Sequence, residues 1–174
     1  LAKVIAAITT SVDGFITGPD DGPGYGLGKG GERLHYWVMG GPWTYEGGHD
    51  FAMHGPDKDF YDELVAGLGA GIVGRGMYDA AGAWGGTNPF PGPLMVLTHR
   101  VQDQSADATG FTFVSGLEEA LARALAEAGG KDVSICHPRA LHREEVGGDT
   151  RVSWEQKTGP ADAGPVFVFR QCRR

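Results

Sequence analysis

Residues 111–135 read FTFVSGLEEALARALAEAGGKDVSI, an apolar run, a four-residue periodic run and a second apolar run. Leu117, Leu121 and Leu125 recur every fourth position and mark the buried stripe of a helix. Ser115 and Glu118 have capping-box spacing, in which each side chain satisfies a free backbone N–H of the first turn. Gly129-Gly130 ends the helix. A strand, a helix and a second strand in this order are the signature of parallel pairing through a helical crossover.

The same alternation runs through much of the chain. Val4 to Thr9 is a nearly continuous apolar run, as expected of a strand buried on both faces. DKDFYDELVAGLGA, residues 57–70, reads as a helix with Phe60, Leu64 and Leu68 on one face. Asp57 and Asp59 lie near its start, where the helix dipole favours them. Ala70 to Gly74, Leu94 to Thr98 and Val133 to Ile135 read as strands, and 76–82 as a short helix or turn. The expected fold class is α/β, one domain over residues 1–174 built on a mostly parallel sheet. Between His137 and Pro165 the pattern decays, and this stretch is expected to be short of strands. Val166 to Phe169 is a last strand, with Arg151 to Trp154 as a weak hairpin partner.

Composition narrows the function. The chain has 30 glycines and 10 prolines, concentrated in residues 18–56 and 67–93, which implies long, shaped loops around a compact core. The longest, TGPDDGPGYGLGKGG at 17–31, has no period, and loops of this length are usually functional or disordered. A net charge of −7 without a basic stripe argues against nucleic acid or a membrane surface as partner. No apolar run approaches the roughly 20 residues that span a bilayer. The N-terminal segment breaks at Thr9-Thr10-Ser11 and reads as a first strand rather than a signal peptide. Cys136 and Cys172 make neither a disulfide framework nor a metal cluster, so a cytoplasmic setting is the default. His35, His49 and His54 lack paired ligand spacing, and no metal is expected.

Three strand ends carry polar residues: Gly74-Arg75, Thr98-His99-Arg100 and Cys136-His137. In open α/β sheets ligands sit outside the carboxyl ends of the strands. Two of these ends carry arginine, whose planar, permanently charged fork suits a phosphate. The alternative is local pairing, with Asp79 four residues after Arg75 and Asp103 three after Arg100. Trp37, Trp43 and Trp84 suit stacking on a planar ligand, or anchoring of core and loops.

VIAAITTSVDGFITGPDDGPG, GGERLHYWV, GIVGRGMYDAAGAWGG and PLMVLTHR, in this order, resemble the dihydrofolate-reductase-like superfamily. The resemblance covers about residues 2–135 and is nearer to the bacterial branch related to the reductase domain of riboflavin biosynthesis. It implies a mixed sheet with flanking helices and NADPH bound across the strand ends. Ala7 and Ile8 would lie beside the nicotinamide, and Gly74 and Arg75 would approach the cofactor phosphates. Thr98, His99 and Arg100 would surround the 2′-phosphate. The glycine-rich loop after Asp13 would be the mobile loop over the reacting ring, with Asp13 as the proton source. Val-Asp-Gly-Phe is also what an ordinary tight turn looks like. Trp37 and Asp50 are the candidate substrate contacts, Asp57 an alternative carboxylate.

The implied activity is NADPH-dependent reduction of a small pterin- or pyrimidine-like substrate by a cytoplasmic homodimer. The pattern departs after DVSI, where paired glycines are expected and His137-Pro138 stand instead. That departure supports an alternative on the same scaffold, a non-redox binding or resistance protein without dinucleotide.

Overall fold

The computed structural model describes residues 2–47, 50–103 and 109–136, and two further strands, 151–157 and 166–172. The strands are β1 (Val4–Thr9), β2 (Leu68–Gly74), β3 (Leu94–Leu97), β4 (Phe111–Val114), β5 (Asp132–Cys136), β6 (Arg151–Lys157) and β7 (Val166–Cys172). The helices are α1 (Tyr36–Met39), α2 (Gly55–Ala66), α3 (Arg75–Ala80) and α4 (Leu117–Glu127). All seven strands join one sheet in the order β4-β3-β2-β5-β1-β7-β6. The first five are mutually parallel, and the β6–β7 hairpin adds antiparallel strands beside β1.

The apolar runs are continuous because both faces of the sheet are covered. Ile72, Met95, Val133 and Ile135 pack with Ala120 and Ala124 of α4 on one face. Val73, Leu94, Val96, Phe111 and Phe113 pack with Tyr78 of α3 on the other. Ile72, Val73, Met95, Val96 and Val133 have no solvent exposure.

Four local expectations shift. The helix stripe seated deepest is Ala120, Ala124 and Ala128, while Leu121 and Leu125 are only partly buried beside it. Alanines bring the helix backbone close to the sheet, and a Cβ on Gly69 of β2 would stand 2.2 Å from the Ala128 carbonyl oxygen. The capping box does not form: the cap is Gly116, whose carbonyl accepts the first helical bond from Ala120 N at 2.9 Å. The chain leaving β4 stays extended one residue longer than the box requires. Leu68 belongs to β2 rather than to the preceding helix, which stops at Ala66. The segment expected to be short of strands supplies β6, so the terminal hairpin pairs seven residues with seven.

Candidate functional site

Chain connections leave the adjacent strands β2 and β5 in opposite directions, β2 toward β3 and β5 past β1 toward the hairpin. In a parallel sheet such a reversal opens a crevice at the carboxyl ends. Register fixes who stands there. Ala6, Ile135 and Ile72 share one row, and Val73 pairs with Cys136 in the next. Gly74 pairs with Leu97, so Arg75 and Thr98 are neighbouring exits from β2 and β3. Ala7 and Ile8 lie at the matching level of β1, two strand spacings or about 10 Å from β2.

At the β2–β3 end the polar groups are mutually held. Arg75 Nε donates to Asp79 Oδ1 at 2.7 Å, and Arg100 Nη2 lies 3.7 Å from Asp79 Oδ2. The Arg75 guanidinium carbon stands 5.8 Å from the Tyr78 ring centre and 5.9 Å from that of Phe113, at cation–π distance. Thr98 is buried, and its hydroxyl accepts from the Arg100 backbone N–H at 3.0 Å. His99 is exposed in the same turn. Local pairing is thus real for Arg75, while Arg100 reaches the same Asp79. Two guanidiniums and a hydroxyl at adjacent strand ends nevertheless make a donor set that fits a phosphate monoester.

Trp84 lies beneath this end, stacked on Phe111 at 6.1 Å and edge-on to Phe90 at 5.5 Å. It is partly buried and packs against the core. Trp43 anchors a loop, donating from Nε1 to the Glu32 carbonyl at 3.1 Å and meeting the Tyr45 ring edge-on at 4.9 Å.

The β1 end opens into a cleft of about 700 Å³ whose walls include Ser11, Asp13, Phe15, Arg33 and Leu34. That volume is in the range of small-molecule sites. Asp13 sits in a tight turn, accepting from Ser11 Oγ at 2.6 Å, while Gly14 N donates to the Ser11 carbonyl at 3.0 Å. Gly14 has a φ of 87°, which explains the Asp-Gly pair. The turn and the cleft wall are therefore the same residues.

The glycine-rich loop is organised as a small hairpin. Gly18 N donates to the Leu27 carbonyl at 2.7 Å and Lys29 N to that of Pro19 at 2.8 Å. A Cβ at Gly18 would stand 2.0 Å from the Lys29 carbonyl oxygen, so the crossing requires glycine. Tyr25 stacks on Tyr45 at 4.2 Å, and the Tyr45 hydroxyl accepts from Leu27 N at 2.7 Å. Burial raises the Tyr45 pKa, Leu27 N–H opposing and the Glu32 and Tyr25 charges adding. Any movement of this loop is the movement of a pre-folded unit.

Three buried polar atoms have no hydrogen-bond partner among the described residues: Thr10 Oγ1, Trp37 Nε1 and Asp57 Oδ1. Thr10 follows β1 directly. Trp37 on α1 meets Phe60 of α2 edge-on at 6.0 Å, and Asp57 precedes Phe60 by one helical turn. Buried polar groups are nearly always paired, so each orphan needs an explanation. Asp50, the carboxylate favoured from sequence, is exposed, and Asp57 is the more enclosed of the two.

Sequence reasoning missed two groups here, Thr10 and Tyr61, the first because threonine at a strand end is unremarkable. Tyr61 follows Phe60, and its pKa is raised by burial, then by Cys136 and Asp62. Burial likewise raises the Cys136 thiol, and a hydrogen bond with Ser134 opposes it. His137, Pro138, His49, and the side chains of Ala7 and Asp103 lie outside the described residues. Among the described residues no helix is long and apolar enough to cross a membrane.

Sheet order, parallel core and flanking helices define an α/β protein with a mostly parallel sheet. Among solved structures, the chain is similar to a protein from Shewanella sp. PV-4 described as a candidate riboflavin biosynthesis protein. The two share 14% identity over 99% of this chain and 100% of that one, with a TM-score of 0.58. At that identity the likeness carries the fold and no more. No protein-family model and no curated protein matches the sequence.

Proposed function

We propose that the chain is an NADPH-dependent reductase of a small heterocyclic substrate, a divergent member of the dihydrofolate-reductase-like superfamily. The observation that carries this is the gathering of Arg75, Thr98 and Arg100 at adjacent parallel strand ends, level with Ala7 and Ile8. Arg75, Arg100, Thr98 and His99 would hold the 2′-phosphate, and Gly74 the backbone approach to it. The bound nicotinamide would supply the hydride.

The chain's own residues would do the rest. The cleft walled by Asp13, Arg33 and Leu34 would take the substrate ring, and the Trp37 N–H and the Asp57 carboxylate, which lie outside that wall, would meet a substrate only where it extends beyond the cleft. Asp13, at the mouth, is the group through which a proton would arrive. Asp50 would contact the outer part of a larger substrate. Burial under the 17–31 hairpin excludes water and strengthens each polar contact. The active unit proposed is a cytoplasmic homodimer.

The test is a titration with NADPH and NADH, following nicotinamide fluorescence and thermal stability together. Tight binding with preference for NADPH is expected, and Arg75→Ala and Arg100→Ala should each weaken NADPH by about 1.5–3 kcal/mol, the worth of a hydrogen bond to charge. Undiminished affinity in both variants removes the assignment. Asp79 already neutralises part of the arginine charge, which favours the non-redox reading on the same scaffold. No response to either nucleotide, with stabilisation by a ligand of the cleft alone, would establish that second reading.

A further inference from the structure

Asp79 stands one turn after Arg75 on α3 and joins two guanidiniums that come from different strand exits. Its Oδ1 takes Arg75 Nε at 2.7 Å, while the Arg75 fork also rests against the Tyr78 and Phe113 rings. A carboxylate on Nε and an aromatic wall together fix the rotation of the guanidinium plane. Oδ2 of the same carboxylate draws Arg100 to 3.7 Å, and the Thr98 hydroxyl holds the Arg100 backbone at 3.0 Å. Two planar, permanently charged guanidiniums held at adjacent strand exits are the donor type that suits a phosphate monoester of about −1.5 to −2 at neutral pH.

We propose that Asp79 is the positioning residue of the phosphate site, aligning Arg75 and Arg100 as a pair and thereby setting the preference for a 2′-phosphorylated adenine nucleotide. The inference rests on the phosphate-site reading above. Its strength is that two effects of Asp79 on an anion have opposite sign. As a bare charge Asp79 repels phosphate, and neutralising it would tighten binding. As a positioning group it holds two long side chains that otherwise lose rotamer freedom on binding, and removing it weakens binding.

The experiment compares the wild-type chain, Asp79→Asn and Asp79→Glu for binding of adenosine 2′-monophosphate, NADPH and NADH by calorimetry. Asp79→Asn should weaken the two 2′-phosphorylated probes about tenfold, one charge-assisted contact's worth. NADH should be unchanged, and Asp79→Glu should restore part of the loss. Equal or tighter binding of the 2′-phosphorylated probes by Asp79→Asn overturns the proposal and leaves the reductase reading standing. Wild-type binding of adenosine 2′-monophosphate without NADPH, lost in Asp79→Asn, keeps the clamp and sinks the reductase reading. Wild-type binding of neither sinks both. Should Asp79→Asn fail to fold, the Arg75 Nε–H resonance of the wild-type chain decides. It should stay protected from exchange when adenosine 2′-monophosphate is bound, and loss of that protection overturns the clamp.

Discussion

At the β2–β3 end, Arg75 and Arg100 share Asp79, Thr98 bonds its own turn, and the aromatic rings of Tyr78 and Phe113 back the guanidinium. Thr10 just after β1, Trp37 on α1 and Asp57 on α2 each bury a polar atom that meets no partner among the described residues. At the first end each charged group already has a partner inside the chain, two guanidiniums sharing one carboxylate. The second has buried polar atoms without a hydrogen-bond partner among the described residues, and such an atom costs about 1–3 kcal/mol by mutational measure. A protein keeps such groups where a ligand completes them, at the cost of stability. The comparison therefore makes a thermodynamic claim: substitutions at the two ends should move stability in opposite directions.

The largest effect tests whether one sheet joins the two ends. Ile72 is fully buried in the row shared with Ile135 and Ala6 and pairs with Met95 on its other side. Ile72→Ala should cost about 2–5 kcal/mol, the transfer and cavity terms together. Urea unfolding followed by far-UV circular dichroism and by tryptophan fluorescence should stay coincident in the variant. Separate transitions would mean that the ends are independent units and that the comparison has no common scaffold.

Next in size is Arg75→Ala. It removes the 2.7 Å pair with Asp79 and the contacts with two rings, from a side chain only 20% exposed. Without ligand it should destabilise the chain by about 1–2 kcal/mol, summing a surface ion pair and a cation–π contact. Stabilisation instead would show that the arginine end is strained in the same sense as the cleft end.

Thr10→Val is the mirror experiment, since it keeps the side-chain shape and deletes the orphaned hydroxyl. It should stabilise the free chain by about 1 kcal/mol, or roughly 2–4 °C in Tm for a chain of this size. It should also weaken whatever ligand the cleft takes. A loss of stability would mean that a buried water already satisfies the hydroxyl, and the contrast between the ends would shrink.

The sequence disclosed these regions unequally, for physical reasons. Val4–Thr9 was readable to the residue from its nearly continuous apolar run, although the strand is only partly buried, and Phe111–Val114 from apolar residues alternating with Thr112. The site row was readable as three strand ends, since Gly74-Arg75 and Thr98-His99-Arg100 punctuate such runs. What one residue's identity does not contain is its partner across space. Asp79 next to Arg75 was expressed by i, i+4 spacing, whereas its reach to Arg100 depends on β2–β3 register. Thr10 and Asp57 look ordinary in the sequence, because an unsatisfied atom is defined by what the fold withholds from it. The 17–31 loop, mostly glycine, proline and aspartate, carries no period from which its Tyr25–Tyr45 anchor could be foreseen.

The predicted effect that vanishes at neutral pH lies on the seam between the two ends, at the tip of β5. Burial raises the Cys136 thiol, with the Ser134 hydrogen bond opposing, so the folded chain holds this proton to higher pH than the unfolded chain does. Below the ordinary thiol pKa of about 8.5 both states are protonated and pH has no effect through this group. Above it the unfolded chain ionises first, so stability falls as pH rises, by at most about 1.4 kcal/mol per pH unit, until the folded thiol ionises too. Cys136→Ser removes that slope while keeping a partner for Ser134. Tyr61, raised by burial and by the Cys136 charge, should then contribute its own loss of stability only above about pH 10, the ordinary tyrosine range. Urea midpoints at pH 7, 8, 9 and 9.5 for the two chains should diverge above pH 8.5, with Cys136→Ser the flatter. Parallel curves would place the thiol in water, and the seam would then be an open continuation of the cleft, joining the two ends into a single wet site.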